Sequence, residues 1–409
     1  MKNRTISKQL DEVSNFSATS FKKISGDKII TGSSLLAINL DHIKKMTTGF
    51  GMIQFSKISQ PDLDSGYTLD DNAQALIAMC MHYELTANEV VLNYIHIYLS
   101  FIKYCQQPEG DFLNFVDKDK KFTEQNDATN LDDSNGRAIW ALGYLISKKP
   151  ILPAQLISTA EAILQKALPQ LESIYSTRAM AFSIKGLYYY LSITRNAENV
   201  LLVKTLANRL IEIYKQESQE DWEWFESYLA YANGLLPEAL LCAWSVTGDI
   251  RYKQVARESF GFLLSFIFNE KGIEVILNKS WLYKAQQAGK YSEQTIDVAD
   301  TIMALSKFYN VYKEDEYFNK LVIAFNWFLG KNRLHQIIYN PYSGACYDGL
   351  EENNINKNQS ASSTASYLIA RLVIEKYKLQ KKQSGVQLQK PVRIKSKRTK
   401  NIYSTNSES

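Results

Sequence analysis

The sequence predicts an all-α chain folded as an (α/α)6 toroid of six helical hairpins. Three observations predict it. Proline is scarce, with 8 in 409 residues, which leaves long stretches free to be helical. Two kinds of helical segment alternate, one apolar along a single stripe and one apolar on nearly every side. The second kind recurs every ~44–65 residues, and a helical repeat of that size marks stacked or ring-closed arrays.

The elements follow in order. Residues 1–34 are polar and weakly patterned and read as a flexible lead-in, and helical segments then fill 35–379. Buried segments are expected to begin near residues 70, 133, 177, 235, 295 and 360, and surface segments near 38, 87, 153, 198, 250 and 314. Residues 198–215 show the surface kind. Val203, Leu206, Leu210, Ile213 and Tyr214 share a stripe, while Lys204, Asn208, Glu212 and Lys215 face away. The run LLPEALLCAWSVT at 235–247 shows the buried kind, and 138–146, 179–191 and 298–305 read alike. Six of each kind suit an inner and an outer ring. Only short stretches such as 272–277 and 336–339 look extended. Residues 380–409 carry eight Lys or Arg and one acid, and read as a disordered, solvating basic tail.

Several chemistries are excluded. Cys80, Cys105, Cys242 and Cys346 form no CxxC pair, so neither a zinc ribbon nor a dense disulfide framework is expected. They read as core thiols. His42, His82, His96 and His335 form no HExxH motif, and there is no P-loop or GxGxxG. No metal and no cofactor is expected. His82 and His96 read as packed side chains. The opening residues lack an apolar h-region and no run of 18 apolar residues occurs, so neither a signal peptide nor a membrane span is expected. Cytoplasm is the default address, and no nucleic-acid partner is expected.

Each buried run follows a loop rich in acids, amides, aromatics and glycine. The loops are GYTLDDN (66–72), NLDDSNGR (130–137), YSTR (175–178), DWEWFESYLAYANG (221–234), KYSEQTIDVAD (290–300) and NPYSGACYDGL through NKNQSASS (340–363). Inner helices of a toroid run parallel, so these loops are expected to converge on one mouth. That gathers Asp70, Asp71, Asp133, Arg178, Glu226, Glu293, Asp297 and Asp348 around one cavity. An acid in a first turn also serves as a cap or complements the helix dipole, and for any single acid that reading stands beside the first. Capping needs no aromatics, yet Tyr67, Trp222, Trp224, Phe225, Tyr228, Tyr231 and Tyr342 sit in the same loops. An aromatic, acid-bearing cavity suits sugars, whose faces stack on rings and whose hydroxyls bind carboxylates. Ordinary packing is the alternative for the WEWF cluster. Arg137 and Arg178 lie at inner-helix starts, where the dipole disfavours a bare cation, so each is expected to pair with a mouth acid or a ligand.

These motifs resemble those of a bacterial family of six-hairpin (α/α)6 domains related to glycosidases, which stand alone or are fused to glycosyltransferase domains. The resemblance covers about residues 38–379. It rests on GYTLDDNAQALIA, DDSNGRAIWALG, WEWFESYLAYANGLLPEALL, EQTIDVAD and YNPYSGACYDGL through NQSASS, in that order. It marks Asp70, Asp71 and Asn72; Asp133, Gly136 and Arg137; Trp224, Phe225, Glu226, Tyr231, Asn233 and Pro237; then Gln294, Asp297, Tyr342, Asp348, Gly349, Asn358 and Gln359. The family tends to carry an acid, a basic residue and a Glu where this chain has Ala232, Leu235 and Ser362, which implies impaired or altered activity.

The expected function is carbohydrate-active: a glycoside hydrolase-like enzyme acting on an oligosaccharide or glycoconjugate through paired carboxylates. Glu226, beside Trp222 and Trp224, is the expected general acid, with Asp133 or Asp71 as base. Substrate contacts are expected from Asp70, Asn72, Arg137, Arg178, Trp222, Trp224, Phe225, Tyr231, Asn233, Glu293, Gln294, Asp297, Tyr342, Asp348 and Asn358. The alternative is a saccharide-binding module supporting a glycosyltransferase. A sugar epimerase is disfavoured, since that chemistry normally wants histidine and no mouth loop contains one.

Overall fold

The computed structural model describes residues 37–276, 282–284 and 292–383. The expected lead-in, and the tail beyond residue 383, lie outside the described residues. Thirteen α-helices occur among them. They are α1 (Asp41–Met46), α2 (Leu69–Thr86), α3 (Val90–Cys105), α4 (Gln125–Ala128), α5 (Asp132–Ile146), α6 (Ala154–Ala167), α7 (Thr177–Leu191), α8 (Ala197–Glu217), α9 (Leu235–Thr247), α10 (Ile250–Ile267), α11 (Thr295–Tyr312), α12 (Asp315–Phe328) and α13 (Ala361–Gln383). Helix α13 carries regular structure into the first residues of the expected tail.

Burial sorts the helices as the apolar pattern predicts. Helices α2, α5, α7, α9, α11 and α13 form the inner ring, and α1, α3, α6, α8, α10 and α12 stand outside it. In α2 nearly every side chain from Leu69 to His82 is buried. In α8 only one face is, built from Leu202, Val203, Leu206, Leu210, Ile211 and Tyr214. Ile211 takes the core position expected of Ile213, which is half-buried. Successive inner helices pack on one another. The last closes the ring, because Gln74 Nε2 on α2 donates to Ser366 Oγ on α13 at 2.8 Å and Tyr377 meets Ser306 Oγ on α11 at 2.9 Å.

Short loops and one-turn devices set the hairpins. Thr68 Oγ1 accepts from Asp71 N to cap α2, and Ala87 ends that helix in the left-handed region at φ 50°. Gly248, at φ 74°, does the same for α9. Extended structure is confined to two-residue strands among the described residues. Of the stretches expected to be extended, Gly272–Ile273 pairs with Phe268–Asn269, while Ile337 and Tyr339 form isolated bridges. Position 277 lies outside the described residues. All four cysteines are buried free thiols. His82 is buried, but His96 is exposed on α3 rather than packed. No helix among the described residues is long and apolar enough to cross a membrane.

The closest inner crossing is made by glycines. A Cβ on Gly143 of α5 would sit 2.0 Å from the carbonyl oxygen of Gly186 on α7, and one on Gly186 would sit 2.4 Å from Ile139 O. Both obstacles are backbone, so the helices themselves would have to part. Gly143→Ala is therefore expected to destabilise the fold by ~1–3 kcal/mol, although alanine is the better helix former. Urea unfolding midpoints check this, and an unchanged or raised midpoint would contradict it.

Candidate functional site

The acids at the inner-helix starts are used across helices rather than as caps. The N-cap of α2 is Thr68, not Asp70. Asp70 instead lies 3.5 Å from Arg137 Nε on α5 and accepts from Asn114 Nδ2 at 3.4 Å. Asp133 accepts from Ser176 Oγ at 2.6 Å and from the Tyr231 hydroxyl. Asp297 accepts from Ala232 N at 2.8 Å. Each bond joins one hairpin to another, so the acids converge at one end of the ring as the loops predicted.

Both arginines pair. Arg178 Nη1 donates to Glu226 Oε1 and Oε2 at 2.8 and 3.1 Å, and Nε donates to Tyr231 O at 2.8 Å. Its guanidinium also lies 4.8 Å from the Tyr231 ring centre. Arg137 stacks 4.4 Å above Phe182 besides meeting Asp70. Thr177 Oγ1 donates a further bond to Glu226 Oε1 at 2.7 Å. Glu226 thus stands as the counter-ion of Arg178, with both oxygens occupied.

Electrostatics separate the acids. Burial raises Asp71 to about 7; the Asp70 carboxylate adds to the rise, while the Thr68 hydroxyl and Arg137 oppose it. Burial also raises Asp297 to about 7, helped by Asp300 and opposed by the Ala232 N–H, Arg178 and Arg137. Asp70 is raised by burial as well, with Arg137 opposing and Asp133 adding. Yet its side chain keeps 39 % of its surface open. Asp70 is thus surrounded by protein and still reached by water. One oxygen of Asp71, Oδ2, accepts from Thr68 Oγ1 at 2.6 Å, and Oδ1 takes no protein partner among the described residues.

The structure does not bring every expected residue to this acid cluster. Trp222, Trp224 and Phe225 are buried against Phe262, Phe266 and Tyr214, so the WEWF cluster is packing between outer-layer elements and offers no face to a ligand. Asn72 is fully buried and ties Met52 and Thr68 backbone to α2. Asn233 closes its own turn on Ala230. Glu293 is held by Trp327 Nε1 and Arg333. Asp348 accepts from Ser360 N and Oγ at the start of α13, and Asn358 accepts from Ile58 N. Tyr342 is exposed. Gln294 and Asp348 line a cavity of about 210 Å³ whose wall includes none of Asp70, Asp71 and Asp133.

Sequence reasoning passed over three residues. Ser176 and Thr177 orient the carboxylates of Asp133 and Glu226, and Asp300 lies a turn below Asp297, raised by burial. For Ser176 and Thr177 the legible signal was a pair of hydroxyls directly before Arg178. Asp300 was legible only as one acid in a loop motif.

Together these features define an (α/α)6 toroid of six helical hairpins with acids gathered at one end. No protein-family model and no curated protein matches the sequence. Solved structures do match in shape. A D-mannose isomerase superposes with a TM-score of 0.61 at 15 % identity, covering 83 % of this chain and 96 % of that one. The cellobiose 2-epimerase of Bacillus thermoamylovorans B4167 gives 0.62 at 10 %, with coverage of 83 % and 96 %. A GH76 alpha-mannanase from Bacteroides thetaiotaomicron gives 0.56 at 12 %, with 82 % and 93 %. At such identities the likeness establishes the fold.

Proposed function

We propose that this chain is a cytoplasmic, glycoside hydrolase-like protein acting on a saccharide by carboxylate acid–base chemistry at the mouth of the ring. The observation that supports it is the cross-helix cluster of Asp70, Asp71 and Asp133 around Arg137, in which Asp71 is raised to about 7. A carboxyl that keeps its proton near neutrality suits the donor to a leaving oxygen. Asp133, oriented by Ser176 and Tyr231, suits the partner that takes a proton from water. The donor role passes from Glu226 to Asp71 because Arg178 occupies both Glu226 oxygens. In this reading Arg137 and Tyr231, which meet Asp70 and Asp133, bind substrate hydroxyls.

A second reading is saccharide binding without turnover, in support of a glycosyltransferase. Ala232 favours it, since its buried methyl stands where the resemblance implies an acid. Isomerisation, the chemistry named for four of the matching structures, is less well supported. His42 is buried on the Gln359 carbonyl, His82 lies in the last half of α2 beside Thr86, and His96 and His335 are exposed, with no hydrogen bond to the acids among the described residues.

An NMR time course with neutral gluco-, manno- and galacto-oligosaccharides tests these readings. New reducing-end anomeric signals from the wild type, lost in Asp133→Asn, are expected. Line broadening of one sugar without product points to the binding module. A new epimer without cleavage points to isomerisation. No broadening and no product with any sugar would refute the saccharide reading.

A further inference from the structure

We infer that the mouth holds a second saccharide-ring subsite, apart from the acid cluster, built on the exposed face of Phe55 and specific for a neutral sugar. The inference rests on the saccharide reading above and deepens it. Phe55 is 51 % exposed and has no aromatic neighbour among the described residues, so its ring stays accessible to a ligand. Its backbone is nevertheless fixed, since its N–H donates to Ser65 Oγ at 3.0 Å and its carbonyl accepts from Asp62 N at 2.9 Å. The flanking residues pin it to the start of α13. Ala361 N donates to Gln54 O at 3.1 Å, Gln359 N to Ser56 Oγ at 2.8 Å, and Ile58 N to Asn358 Oδ1 at 3.0 Å. An exposed ring on a held backbone is a platform that loses little entropy when a ligand settles on it.

Phe55 forms one wall of the 210 Å³ cavity, and Gln294, Asp348 and Ser362 form others. That volume is below the roughly 300–1,000 Å³ of a whole ligand pocket and suits one sugar ring. The Gln294 side-chain amide makes no hydrogen bond among the described residues and is half-buried at the cavity wall. Asp348 spends one bond per oxygen on Ser360, at 2.8 and 2.7 Å, and keeps lone pairs for a ligand hydroxyl. The apolar face of a pyranose fits Phe55, with its hydroxyls on Gln294 and Asp348. Among the described residues no Lys or Arg lines the cavity, and with Glu293 already engaged by Arg333 behind the wall, Asp348 is left to oppose a uronic acid or a sugar phosphate with like charge. Contact between Ser362 Oγ and Gln74 Oε1, at 3.4 Å, links this cavity to α2, which carries Asp70 and Asp71. On the saccharide reading, the occupant is the ring next to the one held at the acids.

Calorimetric titration of Phe55→Ala and Phe55→Trp with neutral saccharides of increasing length tests this. Phe55→Ala is expected to weaken binding of the longer saccharides about tenfold and to leave monosaccharide binding and the melting curve unchanged. Phe55→Trp is expected to restore the longer-chain affinity, and charged analogues of the same length are expected to bind more weakly than neutral ones. Equal affinity of Phe55→Ala and wild type at every length overturns the subsite alone, as does an equal loss at every length. Failure of the wild type to bind any saccharide overturns both the subsite and the function it rests on.

Discussion

Asp71→Asn is expected to lower saccharide turnover by about 10²–10⁴-fold and to remove the alkaline limb of the pH–rate profile. Asp71 is held at about 7, chiefly by burial, so the wild type loses its proton donor as pH rises through neutrality. Asparagine keeps an acceptor for the Thr68 hydroxyl, which bonds Asp71 Oδ2 at 2.6 Å, and so preserves the cap of α2 while removing the proton. Stability provides a second readout with a definite sign. The folded value lies above the ordinary 3.8, so between the two the folded chain holds a proton that the unfolded chain has released. This contribution is fully present below about pH 4 and is lost as pH rises towards 7, at ~1.4 kcal/mol per pH unit for such a group. Asp297 acts in the same direction. Wild-type stability from these groups therefore falls from pH 4 to 7, and Asp71→Asn is expected to flatten that fall in urea titrations across the range. Should the variant keep its alkaline limb, the donor is another group, and Asp297 is the first to test.

Lys185→Met is expected to destabilise the fold by ~3–5 kcal/mol, because it strands a buried carboxylate. Lys185 Nζ on α7 donates to Glu238 Oε2 on α9 at 2.9 Å, and the two side chains are 1 % and 4 % exposed. The ammonium also lies 4.0 Å from the Trp140 ring centre on α5. One cation thus ties three inner helices together inside the ring. Its removal leaves Glu238 without its ion-pair partner in a medium that cannot solvate it. The double change Lys185→Met with Glu238→Leu is expected to recover most of the loss, since an apolar pair of similar size avoids the desolvation cost. Guanidinium unfolding of both single variants and the double variant gives the coupling between them. Additive losses would show that the pair does not act as a unit.

The inner and outer helices were legible from pattern alone, and the reason is local. Residues 235–247 are apolar on every side, so no orientation of that helix leaves a face suited to water, whereas 198–215 offers one polar face. The observed inner starts at Leu69, Asp132, Thr177, Leu235, Thr295 and Ala361 fall at or within a residue of those the pattern marked. The acids were legible too, because Asp70, Asp71, Asp133 and Asp297 sit at those same starts. Their aromatic companions were read the wrong way. Trp222 and Trp224 have the composition of a sugar platform, but a ring's side of contact is set by what packs against it. Phe262 and Phe266 claim these rings from α10, 40 or so residues further along the chain.

By itself, the sequence determined the helical periods, the alternation of buried and surface helices, and the gathering of acids at inner-helix starts, since each follows from residues within one or two turns. Only the tertiary structure decided which acid keeps a proton, which acid is consumed by an arginine, and which aromatic faces the mouth. Asp71 and Glu226 are alike in sequence as carboxylates of the loop motifs that precede the inner helices. Burial raises the first, and Arg178 Nη1 engages both oxygens of the second. Protonation, pairing and exposure depend on groups from other hairpins, and ring closure alone brings those groups within reach.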